Sequence, residues 1–133
     1  MRYIIVACAV LCATLSSASR AEAESATVGA NRTTALGGFS IYQKQNCYSG
    51  GKVDYKITTK PDHGKVTVRY ERHKLGDSAG KCAGRKAGTM VILFTPDRGF
   101  HGKDKFVVSF YFNKFASGGT PRARNVSYDV TVK

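Results

Sequence analysis

The chain has 133 residues and carries 21 Lys and Arg against 9 Asp and Glu, a net charge of +12 with neutral histidines. A chain of this length is expected to form one domain, and so high a charge favours anionic partners. The apolar stretch over residues 3–15 is too short to span a bilayer, so we do not interpret it as a transmembrane helix.

The N-terminus has the organisation of an export signal. Arg2 supplies a positive n-region, and Ala21-Glu22-Ala23 forms an A-x-A cleavage signal. We predict that residues 1–23 are a cleaved signal peptide; the alternative is an uncut N-terminal anchor. Without a twin arginine, the general secretory route is expected, leading to the periplasm or the cell exterior. Removing 23 of the 133 residues leaves 110, with no transmembrane segment and a net charge of +11, since two of the removed residues are arginines and one is a glutamate.

The cysteine content changes with the same cleavage. Cys8 and Cys12 lie in the leader, so Cys47 and Cys82 are the two cysteines of the mature chain. Two cysteines in an exported protein predict one disulfide. A metal or redox site built on two thiols has no CxxC spacing to support it.

The mature chain begins with a small, polar segment over residues 24–35, which is predicted to be a flexible lead-in to a domain over residues 36–133. A weak first strand surrounds Phe39, within residues 36–42. Alternating or continuously apolar patterns predict further strands over residues 53–59, 65–72, 89–95, 104–112 and 125–132. Because no segment shows helical spacing, the pattern predicts an all-β sandwich of about six to seven strands.

Residues 94–106, FTPDRGFHGKDKF, join two of these strands and have the chemistry of a turn. Pro96 ends the first strand because it cannot donate to a sheet, and Gly99 can adopt a positive φ. Phe100 is predicted to plug the end of the sandwich. Asp104 can accept hydrogen bonds from loop amides before the next strand begins.

This segment, together with PDHGKVTV (61–68) and SYDVTVK (127–133), resembles the bacterial Ig-like or cadherin-like repeat modules of surface proteins. Those modules show Pro-x-x-Gly before a strand, then Tyr-x-Pro, Gly-Phe-x-Gly-x-Asp-x-Phe and a final strand of alternating valines. The matching positions here are Pro61, Gly64, Pro96, Gly99, Phe100, Gly102, Asp104, Phe106 and Val130. The resemblance covers most of residues 53–133 and implies an Ig-like, cadherin-like antiparallel sandwich in which these residues shape turns.

Two features depart from the family. Its modules usually occur in tandem within long acidic proteins, whereas this chain holds one basic copy with two mature cysteines. Some relatives bind calcium between modules, but the Lys- and Arg-rich surroundings here disfavour a hard cation. We therefore expect no metal and no other cofactor.

The sequence offers little evidence for a catalytic site. No nucleophile elbow is present, and GRKAG (84–88) lacks the Walker pattern, so we predict that the protein is not an enzyme. His63 and His101 are expected in turns at the same end of the sandwich, where they could bind copper or zinc with Asp97. We favour solvated turn residues instead, because such sites need three or four converging ligands.

The charge pattern is more informative. If successive strands run up and down, residues 43–52, 73–88 and 113–124 share one end of the sandwich, here called the basic pole. Residues 60–64 and 96–103 form the opposite turn pole, where charges balance. The cations of the basic pole, opposed by the single acid Asp77, are Lys44, Lys52, Lys74, Lys81, Arg85, Lys86, Lys114, Arg122 and Arg124. Both mature cysteines fall at this pole.

Cations interleaved with aromatic side chains suit an anionic polymer or a glycan. The predicted ligand-binding residues are Tyr48, Lys74, Lys81, Arg85, Lys86, Phe115, Arg122 and Arg124. We predict a non-catalytic binding or adhesion module for an anionic envelope component or a protein, without specificity for nucleic acid. One alternative is a solvated surface that only maintains solubility. Another is a structural subunit that pairs through its first or last strand. The ligand and the oligomeric state stay open.

Overall fold

The computed structural model describes residues 22–115 and 118–133, apart from the side chains of Lys114 and Phe115. The predicted signal peptide therefore lies almost wholly outside the described residues. No helix in the described ranges is both long and apolar enough to cross a membrane.

Seven strands and one short 3₁₀ helix make up the described chain. The helix spans Asp77–Cys82. The strands are β1 (Glu24–Val28), β2 (Thr34–Ile41), β3 (Asp54–Thr59), β4 (Gly64–Lys74), β5 (Lys86–Pro96), β6 (Gly102–Phe115) and β7 (Gly118–Val132). The six strands predicted from alternation correspond to β2 to β7.

The strands form two sheets, ordered β1-β7-β6-β3 and β2-β5-β4. Lettered A to G in chain order, they give the B-E-D and C-F-G groups of an immunoglobulin-type sandwich. The first strand lies beside the last. All pairs are antiparallel except β1 and β7, which are parallel. The predicted Ig-like β-sandwich is confirmed.

The core lies between the two sheets and is built from alternate residues of the long strands. On β5, Met90 and Phe94 are fully buried, and on β6 the same is true of Phe106 and Phe110. The ring centroids of Phe94 and Phe106 are 5.8 Å apart. Removing large aromatic and aliphatic side chains from water is the main force that holds the sheets together.

The prediction that residues 24–35 form a flexible lead-in is wrong, because both ends of this segment lie in strands. Residues 24–28 form β1, with Glu24 opposite Tyr128 and Val28 opposite Val132, and β2 already begins at Thr34. Val28 is only 3% exposed. A five-residue strand with two apolar side chains is too short for its alternation to stand out, and its pairing depends on β7, a hundred residues away.

The predicted loop over residues 113–124 is also largely strand. β6 and β7 continue as a hairpin beyond the last β3 pair, Asp54 with Tyr111, to pair Phe115 with Gly118. Its Gly, Pro and Arg residues lack strand alternation. Cross-strand hydrogen bonding to β6 supports the extended backbone without an apolar pattern.

A candidate binding site at the basic pole

The strand directions bring three connections to the same end of the sandwich. β2 and β4 both run antiparallel to β5, and β3 and β7 both run antiparallel to β6. The connections β2–β3, β4–β5 and β6–β7 therefore share one end, and the connections β3–β4 and β5–β6 share the other. The predicted division of the connections into a basic pole and a turn pole is confirmed, although the chain passes from one sheet to the other between several successive strands.

A disulfide joins two of the three connections. Cys47 and Cys82 are bonded, with their Cα atoms 5.3 Å apart. Cys82 is fully buried in a small apolar cluster with Leu75 and Ala87, separate from the main core. The Lys81 ammonium donates a 2.6 Å hydrogen bond to the Gln45 carbonyl. We call residues 42–50 and 75–85 the disulfide lobe; Lys81, predicted to bind ligand, helps to hold this lobe together.

Cations crowd the base of the disulfide lobe. Lys74 and Lys86 stand directly opposite each other where β4 and β5 separate, and Arg85 is exposed beside them. Like charges opposite each other in a sheet destabilise the pairing. A bound anion would relieve that repulsion.

Two further predicted residues, Arg122 and Arg124, lie on strand β7 instead of in a loop. We call residues 112–115 and 118–124 the hairpin arm. Arg122 is opposite Phe112, and Arg124 is opposite Phe110. The Arg124 guanidinium lies 5.6 Å from the centroid of the Phe39 ring, within cation–π range. Both arginines are exposed yet positioned by a regular backbone.

A cleft of about 440 Å³ lies between the disulfide lobe and the hairpin arm, and we call it the aromatic cleft. Phe39 and Phe112 line it, with ring centroids 5.3 Å apart. Tyr48 lines it and is 60% exposed. Its lining is Phe39, Ser40, Ile41, Tyr42, Gln43, Tyr48, Gly50, Gly51, Lys52, Val53, Asp54, Phe112 and Asn113.

Of the predicted ligand residues whose side chains the structure describes, Tyr48 alone lines this cleft. Phe39, Tyr42 and Phe112 were not predicted as site residues, because their strand positions indicated core packing. The sequence does contain a signal for two of them, since Phe39 and Phe112 lie two and three residues before the ends of β2 and β6, which approach the basic pole. The predicted ligand residue Phe115 ends β6, but its side chain lies outside the described residues.

The turn pole is built around the Asp104 carboxylate. It is buried and accepts hydrogen bonds from the backbone amides of Asp62, at 3.0 Å, and His63, at 2.7 Å. This is the loop-amide role that the sequence predicted. Gly99 has the expected positive φ of 77°. Phe100 is half-buried and stacks on the His63 ring, with centroids 4.3 Å apart.

Other members of the turn motif also have structural roles. Phe106 and Pro96 are buried, and Gly102 has a φ of 139°. A Cβ placed on Gly64 would lie 2.7 Å from the Phe94 ring, so the strand approaches the core too closely for a side chain there. Within residues 22–115 and 118–133, no group of three or more His, Cys, Asp or Glu side chains could hold a metal ion.

Comparison with known proteins gives little guidance. No protein-family model and no curated protein matches the chain. The solution structure of Amebosin is similar over 82% of this chain and 88% of that chain, at 14% identity and a TM-score of 0.45.

Proposed function

We propose that this protein is an exported, non-catalytic binding module of the Ig-like, cadherin-like type, whose basic pole attaches it to an anionic component of the cell envelope. An acidic polysaccharide is the partner that we favour. Export is supported by the N-terminal sequence, and the disulfide is compatible with an oxidising compartment.

The observation that carries the proposal is the convergence of free cations. Among the described residues, an ion pair joins Arg69 to Glu71, and the His73 Nε2 atom lies 2.7 Å from the same carboxylate. The described lysines and arginines of the basic pole are exposed and form no ion pair within those residues. Clustered cations attract polyanions over long range and raise their rate of association.

Charge reversal at the pole tests this proposal. Arg85, Lys86, Arg122 and Arg124 are all changed to Glu, and binding to isolated lipopolysaccharide, peptidoglycan and acidic polysaccharide is measured at physiological salt. We expect affinity for one of these to fall by at least about tenfold. Neutral polysaccharide serves as the ligand control.

A matched variant controls for net charge. Lys60, Lys65, Arg98 and Lys103 are exposed, lie at or near the turn pole and give the same change in charge when replaced by Glu. We expect this variant to bind like the wild type. Equal loss in both variants, or no loss in the first, would contradict the proposal.

A structural subunit that pairs through sheet edges is the second candidate. Residues 128–132 of β7 lie between β1 and β6, so this half of the last strand is not an edge. Residues 118–127 pair with β6 alone in the described chain, which leaves an open edge. Pro121 and two arginines occupy that edge, and such residues discourage strand addition. Concentration-dependent oligomers at high salt would favour this candidate.

A further inference from the structure

We propose that the aromatic cleft holds a hydroxylated sugar ring of the anionic polymer, while the arginines of the hairpin arm bind the acidic groups that this sugar unit or its neighbours carry. This inference rests on the proposed function and adds the chemical class of the ligand and the place of its recognition.

The size and the aromatic lining of the cleft suit a sugar ring. At about 440 Å³, it is within the range of ligand pockets in general. Phe39 and Phe112 are half-buried rings of the lining. Phe39 already stacks on Phe110 with the Arg124 guanidinium over it. Tyr48 offers a largely exposed ring. The C–H face of a sugar can stack on such rings, while its hydroxyls point towards polar groups.

The polar lining favours a ligand rich in hydroxyl groups. Gln43 and Asn113 carry amides that both donate and accept hydrogen bonds, and Asp54 carries a carboxylate that only accepts. Lys52 and Asp54 have opposite charges, so the formal charge of the lining cancels. The hydroxyl groups of a sugar ring meet these requirements better than a phosphate group or an acyl chain.

The acidic groups of the polymer would meet the hairpin arm. Arg124 is held over Phe39, which also forms part of the cleft, and Arg122 is opposite the cleft residue Phe112. A guanidinium can bind a carboxylate or a sulfate through two parallel hydrogen bonds. Recognition would then divide between stacking in the cleft and ion pairing on the arm.

The experiment uses the purified, oxidised protein and short oligogalacturonates as the acidic probe. Neutral malto-oligosaccharides and an oligothymidylate of similar charge serve as comparison probes. Tyr48→Ala removes the exposed ring of the cleft, and Tyr111→Ala is its control, since Tyr111 is 43% exposed but does not line the cleft. Binding is measured by calorimetry, and thermal unfolding verifies that each variant is folded.

We expect Tyr48→Ala to weaken oligogalacturonate binding about tenfold, with Tyr111→Ala close to wild type. Ring resonances of tyrosine and phenylalanine should shift on titration with the acidic probe in the wild type. Asn113→Ala should weaken binding in the same direction by removing a polar partner of the hydroxyls.

The outcomes separate this inference from the proposed function. If the four-site charge reversal abolishes polysaccharide binding but Tyr48→Ala does not affect the short probe, the cleft inference is overturned and the binding module stands. If oligothymidylate binds as tightly and with the same dependence on Tyr48, sugar recognition is overturned. If lipopolysaccharide or peptidoglycan binds at the basic pole but no acidic polysaccharide or oligosaccharide does, the cleft inference is overturned and the binding module stands. If none of these anionic partners binds, both proposals fail.

Discussion

The hydroxyl group of Tyr128 lies where a side chain on residue 37 would have to be. A Cβ placed on Gly37 would be 2.5 Å from the tyrosine oxygen, so this position of β2 accepts only glycine while Tyr128 keeps its place. Tyr128 is 3% exposed. Burial, with a smaller contribution from a hydrogen bond and the charge of the neighbouring Glu24, raises the pKa of Tyr128 above its ordinary value.

Changing Gly37 to Ala should therefore destabilise the protein by about 1–3 kcal/mol through steric overlap. The double variant that also carries Tyr128→Phe should lose much less relative to Tyr128→Phe alone, because the clashing oxygen is absent. Denaturant unfolding of the four proteins in this cycle measures the coupling. Additive effects would show that the tyrosine oxygen is not the source of the strain.

The raised pKa of Tyr128 makes a specific prediction about alkaline pH. The unfolded chain releases this proton near pH 10, whereas the folded protein retains it at higher pH. Above about pH 10 the unfolded state thus binds fewer protons, and the free energy of unfolding falls as pH rises. Below about pH 10 the contribution of Tyr128 to the free energy of unfolding is fully present. Tyr128→Phe should flatten the decline relative to wild type, as measured by unfolding between about pH 9 and 11.

At the scale of elements, two cross-connections organise the ends of the sandwich. The Cys47–Cys82 disulfide spans a sequence separation of 35 and ties the β2–β3 connection to the β4–β5 connection. At the opposite end, the Asp104 carboxylate of β6 holds the amides of the β3–β4 turn. Each link restrains a connection that has few apolar residues of its own.

Replacing Cys47 and Cys82 together by Ala should lower the free energy of unfolding by roughly 4 kcal/mol, because an open chain gains loop entropy when it unfolds. Envelope binding at a temperature where the variant remains folded should also weaken, since the disulfide lobe loses its anchor. Amide exchange should increase in residues 42–50 and 75–85 more than in β6. Unchanged exchange in these loops would mean that the apolar cluster alone holds the lobe.

Asp104→Ala removes the acceptor for two turn amides and should cost about 2–4 kcal/mol, because both part-buried hydrogen bonds to a charged acceptor are lost. Asp129→Ala is a suitable control, as this carboxylate is exposed on the neighbouring strand. Chemical denaturation compares the two variants. Equal small losses would show that solvent replaces the carboxylate at no significant cost.

At the scale of the whole molecule, the fold concentrates positive charge at one end of the sandwich. Cations from three distant parts of the sequence meet at the basic pole, while the turn pole includes Asp62 and Asp97 alongside its cations. A binding reaction dominated by this pole must weaken with ionic strength, since exposed charges are screened over about 8–10 Å in physiological salt.

We expect the affinity of the wild type for acidic polysaccharide to decrease steadily as salt is raised from about 50 to 500 mM. The variant reversed at Arg85, Lys86, Arg122 and Arg124 should show a much shallower dependence, and the variant reversed at the turn pole should follow the wild type. Retention on immobilised polysaccharide across the salt series measures all three. Parallel curves for the two reversed variants would contradict a localised site.

Much of the architecture could be read from local sequence. Alternating or continuously apolar patterns predicted β2 to β7, and the disulfide followed from the two cysteines outside the predicted signal peptide. Gly99 of the β5–β6 turn has a conformational requirement that is a property of the residue itself. The Asp104 carboxylate also needs hydrogen-bond donors, but the amides of Asp62 and His63 that supply them belong to the β3–β4 turn. The convergence of cations followed from counting strands that reverse direction.

The sequence by itself therefore determined the fold class, the disulfide and the end of the molecule that carries positive charge. The tertiary structure alone decided that residues 24–28 pair with β7, that Arg122 and Arg124 lie on a hairpin arm, and that Phe39 and Phe112 meet in a cleft. The physical reason is the range of the interactions. Alternation and turn chemistry depend on neighbouring residues, whereas β1 pairing and the aromatic cleft depend on contacts between residues that are more than seventy positions apart.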